Sequence, residues 1–434
     1  MSLRFVFWVA ILAIGCAWML RRPLVGVCLN VLFFPINPAL WGTGLEFIRF
    51  QFIAMLCLLF SCVVNRRSLC QPDSKDARPI MLLLCYTLWS VAACVWAVGS
   101  KADAWEQALS GCKLAVFVWL IPRVVATEVD LKAVAWAIFI SFGLKAALDR
   151  WGRGYSPTGL TVGFEDAWYA MLVAVLVLVI ACSRVRWERI IGALMIPVML
   201  DAIVFLHRRS AFAALVGCGG VLIIGSPARH RWKVITGAAV AAALFVAVLT
   251  PAKYWDWTAT ILRPQEEASA ASRFTLNAAS WAMVRDYPMG VGPANYKYMS
   301  PRYTNFERPP GAETGKTAHN TFLSLLAERG WVGLGLWLSM FLLTWIRLLR
   351  ISRSDPTFSK FRVVLARGFC LGMVGVLPAL WTHVDSNTDL PFWIVGLGVV
   401  ITRLHRIDQA SSKPTARPSN VRGPVGRLGS VANA

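Results

Sequence analysis

Apolar runs of bilayer length recur along almost the whole chain, and they limit its fold more than any other feature. Backbone inside hydrocarbon has no water to bond, so it must satisfy its own N–H and C=O groups, as a helix or as a closed barrel. The runs lie at residues 5–20, 24–41, 46–64, 79–98, 109–125, 131–148, 167–182, 190–206, 210–225 and 233–250, with more at 332–349, 363–382 and 390–402. At 1.5 Å rise per residue they give roughly twelve or thirteen spans. Composition agrees: of 434 residues 57% are hydrophobic and only 15% are charged. The expected fold is therefore all-α, a polytopic membrane bundle of about 12 transmembrane helices. The run at 24–41 carries Pro35 and Pro38, which remove backbone donors, so it reads as broken or re-entrant. The first run has Arg4 ahead of it and no small-residue cleavage site before "RRP", and reads as a retained helix.

A formal charge of +21, from 44 basic and 23 acidic residues, would suit a nucleic-acid partner if the charge formed a stripe on a soluble module. It does not. Lys and Arg gather in the short connections "NRRSLCQPDSKDAR", "SRVRWER", "SPARHRWK" and "RLLRISRSDPTFSKFR", whereas "HVDSNTD" has neither and "GSKADAWEQA" has one lysine. The positive-inside rule puts the first set in the cytoplasm and the second outside. No nucleic-acid partner is expected. The 11 cysteines are scattered, without a CxxC pair or a His/Cys cluster at ligand spacing, and read as small core residues; no metal site is expected. No internal repeat stands out, unlike the inverted repeats of many secondary transporters.

The chain divides into an N-terminal bundle (1–250), a long polar loop (251–331), C-terminal spans (332–406) and a tail (407–434). The Ser-, Pro- and Arg-rich tail lacks hydrophobic periodicity and is expected to be disordered and cytoplasmic. Loop charge places 251–331 outside, and it is the one connection long enough to build a site. Within it, "SRFTLNAASWAMVRDYP" offers Ser272 as an N-cap and Phe274, Ala278, Trp281 and Val284 or Arg285 at helical spacing. This predicts an amphipathic helix lying on the membrane or packing on the bundle. "MGVGPANYKYMSPRY" follows as a turn around Gly290 and Gly292. Then "KTAHNTFLSLLAERG" predicts a short helix over about 318–329, capped by Thr317 and closed by Gly330.

Taken together, "SRFTLNAASWAMVRDYPMGVGPANY" and "AHNTFLSLLAERGWVGLG" resemble the core of the O-antigen ligase and polymerase superfamily of bacterial membrane glycosyltransferases. The shared pattern is an arginine before an aromatic, a tryptophan, a proline, a GxG turn and a tyrosine, then H-N-x-F/L-L with E-x-G. "LRRPLVGVCLNVLFFPINPALWG" is similar to the O-glycosylation ligases found with exosortase systems. The resemblance implies transfer of a glycan from undecaprenyl diphosphate to an acceptor hydroxyl, on lipid A-core or a protein, at the periplasmic face of the inner membrane. It implies neither metal nor nucleotide cofactor.

The residues suit that chemistry. A diphosphate donor calls for fixed positive charge, and the attacking hydroxyl calls for a base. His319, one of 5 histidines, has an ordinary pKa of about 6.5, and a helix N-terminus favours its neutral form. It is the candidate general base; the plainer alternative is a capping or interfacial histidine. Arg273, at the start of the loop helix, offers a planar fork for diphosphate oxygens, or else a lipid headgroup contact. Arg208 and Arg209, external and so against the positive-inside trend, are the other candidate clamp residues. Arg209 matches the family position, while Arg208 and His207 can snorkel. Asn320, Tyr296 and Glu328 are candidates for positioning or acceptor contacts, against readings as cap, packed interfacial aromatic and helix-end contact.

Arg49, Lys113, Lys145, Asp201 and Arg367 fall inside apolar runs, where a charge costs roughly 2.5–3.5 kcal/mol at the bilayer centre. Lys145 and Arg367 read as snorkelling. Lys113 and Asp201 read as a buried pair or as donor-cavity lining. The overall expectation is a ligase-type glycosyltransferase with membrane lipids around it. A polymerase joining repeat units is the nearest alternative, and a transporter or flippase for a lipid-linked glycan is the non-enzyme one, disfavoured by the concentration of polar residues in a single loop.

Overall fold

The computed structural model describes residues 3–36, 38, 48–151, 166–205, 209–226, 228–229, 231–250, 268–304, 315–355, 360–382 and 389–412. Among them every regular element is helical: α1 (Leu3–Arg21), α2 (Pro23–Ile36), α3 (Phe50–Val64), α4 (Ser74–Ala93), α5 (Lys101–Val124) and α6 (Glu128–Trp151). Then come α7 (Asp166–Cys182), α8 (Arg186–Phe205), α9 (Arg209–Gly225) and α10 (Arg231–Leu244), which widens into a π turn over Phe245–Leu249. The loop module supplies α11 (Ala268–Asp286) and α12 (Tyr296–Tyr303), and the chain ends with α13 (Thr321–Ser354), α14 (Phe361–Gly375), α15 (Leu377–Thr382) and α16 (Asp389–Ser412).

Among the described residues, 6 helices are long and apolar enough to cross a membrane, and five shorter apolar ones accompany them: Phe5–Arg21, Pro23–Ile36, Phe50–Val64, Ala167–Cys182 and Ser210–Gly225. That supports a multi-pass membrane protein. Pro35 lies inside α2, one residue from its last described position, Ile36.

The core centres on α7, buried from Ala167 to Val179 on every side and packed by α8, α9 and α14. Small residues bring the backbones together, as expected where lipid gives no hydrophobic drive between helices. A Cβ on Gly217 of α9 would run into the carbonyl of Gly375 in α14, and one on Gly375 into the backbone of Cys218. Lys145 does not snorkel: it is 2% exposed, deep in α6. Arg367 is half-buried and donates to the Gly225 carbonyl at the end of α9. Asp201 pairs with Arg150 at 3.1 Å, and Lys113 is exposed, so the two do not form the expected pair. Arg49 is likewise exposed, just ahead of α3.

Charge knits the basic end of the bundle. Arg406 binds Asp73 at 2.6 Å and Asp76 at 2.8 Å, Arg362 bridges Glu128 and Asp408, and Arg403 donates to the Pro122 and Val125 carbonyls. These ties carry α16 to Ser412, past the expected start of the tail at 407. The rest of the tail lies outside the described residues.

Candidate active site

The loop module is built around a small core of its own: Leu276, Met283 and Val284 of α11, Val291 of the turn, Tyr296 and Met299 of α12, and Ala318, Leu326 and Ala327. Of the residues that periodicity aligned on α11, only Val284 turns toward it. Leu276, Ala279, Ser280 and Met283 are buried, whereas Phe274, Ala278, Trp281 and Arg285 are exposed. Tyr296 fastens α12 to α11; its hydroxyl donates to the Leu276 carbonyl at 2.8 Å and lies 3.0 Å from Ser280 Oγ. Burial pushes its phenol up to about 12.

The glycine turn closes the helix that follows His319. Val291 and Gly292 donate their amides to the Ala327 and Glu328 carbonyls, at 2.9 and 3.0 Å, satisfying groups that a helix C-terminus leaves open. Gly330 breaks α13 with φ 65° and ψ −171°, a region open essentially to glycine, and a Cβ there would collide with Pro288 O. The expected closure at Gly330 is therefore observed. The expected cap is not: Asn320 takes that place, accepting from the Leu323 amide at 3.1 Å, because its backbone is extended where a cap must be.

Neighbouring segments lock the turn. Asn295, fully buried, accepts from the Ser100 amide at 2.6 Å and donates to the Ser100 carbonyl at 3.1 Å. Lys297 meets Asp103 at 2.7 Å, and Tyr298 donates to the same carboxylate at 2.8 Å. The bond from Lys297 to Asp103 holds its ammonium above the ordinary value. Residues 99–108 and the loop, placed on one side by loop charge, thus touch. Neither Asn295 nor Asp103 stood out in the sequence, since a buried amide reading a distant backbone leaves no local pattern.

His319 occupies the junction. It is half-buried, directly before the Asn320 cap, with φ 50° in the left-handed region, which few non-glycine residues adopt. Arg273 is half-buried on α11, one turn before core residue Leu276, so both lie beside the same small core. Asn277, one turn after Arg273, holds its Oδ1 enclosed without a hydrogen-bond partner, and Asn320 does the same with its Nδ2. Enclosed polar atoms of this kind call for a partner, and here they adjoin the two central candidates.

Glu328 sits at the far end of the helix, nine residues and so roughly 13 Å along the axis from His319. Its carboxylate accepts from the Tyr296 amide at 3.5 Å and pairs with Arg329 at 3.2 Å. Arg329, 2% exposed, donates to Ser90 Oγ at 3.1 Å and lies over the Tyr86 ring. Tyr296 and Glu328 thus tie the parts of the module together, Glu328 from the opposite end of the helix to His319. Arg209 begins α9; its side chain, together with Arg208 and His207, lies outside the described residues. Among the described residues no three His, Cys, Asp or Glu converge as metal ligands.

No curated protein matches the chain. Residues 194–338, about a third of the chain and the part that contains α9, α11, α12 and the His319 junction, match the family model described as O-Antigen ligase, so this stretch is similar to that family.

Proposed function

We propose that the loop module is the active site of a membrane glycosyltransferase. It moves a glycan from undecaprenyl diphosphate to an acceptor hydroxyl at the periplasmic face of the inner membrane, and its acceptor is lipid A-core or a protein. His319 takes the proton of that hydroxyl as its oxygen attacks the sugar's anomeric carbon, and the lipid diphosphate leaves. Arg273 and Arg209, with Arg208, hold the diphosphate oxygens in fork geometry. Asn320 keeps the histidine in register by capping the helix that begins beside it, and Tyr296 and Glu328 hold the surrounding scaffold.

The observation that carries this reading is the left-handed backbone of His319. Such a conformation costs free energy and clusters at functional sites, and here it falls on a histidine directly before the cap of a helix, whose positive end favours the neutral, basic form.

His319→Asn tests it, because asparagine tolerates the left-handed region but supplies no base. In membranes holding the lipid-linked donor, transfer should fall about a hundredfold to ten-thousandfold, while yield and melting temperature stay near wild type. Near-normal transfer by this folded variant would remove His319 from the chemistry.

A further inference from the structure

The face of α11 turned away from the module core is strongly apolar. Phe274 is 67% exposed and Trp281 46%, and Trp281 meets Trp331, itself 55% exposed, with ring centroids 6.4 Å apart. Met289 and Val332 extend the patch. Trp331 and Val332 are also the first residues of α13 beyond its kink, where exposed Leu338 and Leu342 continue down the candidate span. The patch is therefore continuous with a surface that only lipid can cover. Its depth follows from Leu334, which packs against both the module core and the main bundle core. Leu334 lies three residues past Trp331, roughly 4.5 Å along the helix. Two tryptophans at this level, with exposed Arg285 on the same face of α11, form the aromatic and basic signature of a bilayer interface.

We propose that Phe274, Trp281, Met289, Trp331 and Val332 form a docking surface for the membrane itself, seated at the boundary between headgroups and acyl chains, and that it sets the depth of the loop module. The partner is a lipid surface, and the proposal stands apart from the transferase reading, since it concerns where the module rests and not what it catalyses.

The test uses the full chain in vesicles of phosphatidylethanolamine and phosphatidylglycerol with a radiolabelled phospholipid, and a photocrosslinking phenylalanine analogue placed at one position at a time. Probes at Phe274, Trp281 and Met289 should acquire lipid label, as should one at Leu342, whereas one at Arg302, exposed at the end of α12 outside the patch, should acquire little. Crosslinks to a second copy or another protein instead of lipid, labelling at Arg302 equal to that at Trp281, or absent labelling at Phe274 and Trp281 while Leu342 is labelled, would each overturn the proposal. The double variant Phe274→Ser and Trp281→Ser leaves the buried face of α11 intact. In it, label at Met289 should drop toward the Arg302 level with Leu342 unchanged, and undiminished label at Met289 would refute the anchoring role of the two aromatics.

Discussion

From Thr321 to Gly330 nearly every side chain of α13 is buried, whereas beyond Trp331 burial recurs at Gly333, Trp337, Met340, Thr344, Leu348 and Ile351. The first half is wrapped by protein on all sides and carries Glu328 and Arg329. The second half shows one protein-facing stripe and gives its remaining surface to lipid. In the first half each polar group needs a named protein partner, because neither water nor lipid can supply one. In the second, apolar side chains suffice and their exact identity matters less.

Arg329→Ala should produce the largest loss of stability if that contrast is right. It strips the partner from buried Glu328, at about 3–5 kcal/mol, and should abolish the sharp melting transition of the detergent-solubilised protein. Replacing Glu328 and Arg329 together by methionine should recover much of that loss. A stable but inactive double variant would return Glu328 to the chemistry and break the view of it as scaffold.

Gly330→Ala attacks the boundary between the halves. The residue would sit in a nearly glycine-only conformation with its Cβ against Pro288 O, costing about 1–3 kcal/mol from the backbone alone. Protease cleavage within 268–330 should rise relative to the bundle, and an unaltered cleavage pattern would show that the kink is not what holds the module.

The Tyr296 phenol sharpens the comparison through pH. Its pKa is raised to about 12 by burial, against an ordinary value of about 10. A raised folded-state value means the stability is complete below the ordinary pKa and is lost as pH rises through the folded one. Thermal stability of the module should therefore fall between about pH 10 and 12, and Tyr296→Phe should flatten that decline while lowering stability at neutral pH by about 1 kcal/mol. A decline of the same steepness in the variant would assign the alkaline transition to other groups.

Asn320→Ala, the smallest effect, removes one cap hydrogen bond, at about 1 kcal/mol. It should lower the melting temperature slightly and reduce transfer far less than His319→Asn does. Equal loss of transfer in the two variants would give Asn320 a direct part in the reaction.

Some of this organisation is written locally. Apolar runs mark the helices of the bundle, and Gly330 and the glycine turn mark where the short helix stops, because each rests on the backbone properties of the residues present. His319 and Asn320 were legible as a pair at a helix start, although the roles of Thr317 and Asn320 as cap differ only in backbone angle, which the sequence leaves open. Asn295 and the Arg329 contacts with Ser90 and Tyr86 were not legible, since partners 195 or more residues apart leave no periodic trace.

The sequence by itself determined that the chain is a helical membrane protein with one chemically rich loop, for hydropathy and charge along the chain are enough for that. Only the tertiary structure decided which face of α11 turns inward, that Asp201 meets Arg150 rather than Lys113, and that α16 runs on to Ser412. In water, apolarity identifies the buried face of a helix. Beside a bilayer it does not, because lipid accepts Phe274 and Trp281 as readily as a protein core accepts Leu276 and Met283, so the choice between the two faces falls to packing shape and hydrogen-bond partners that exist only once the chain has folded.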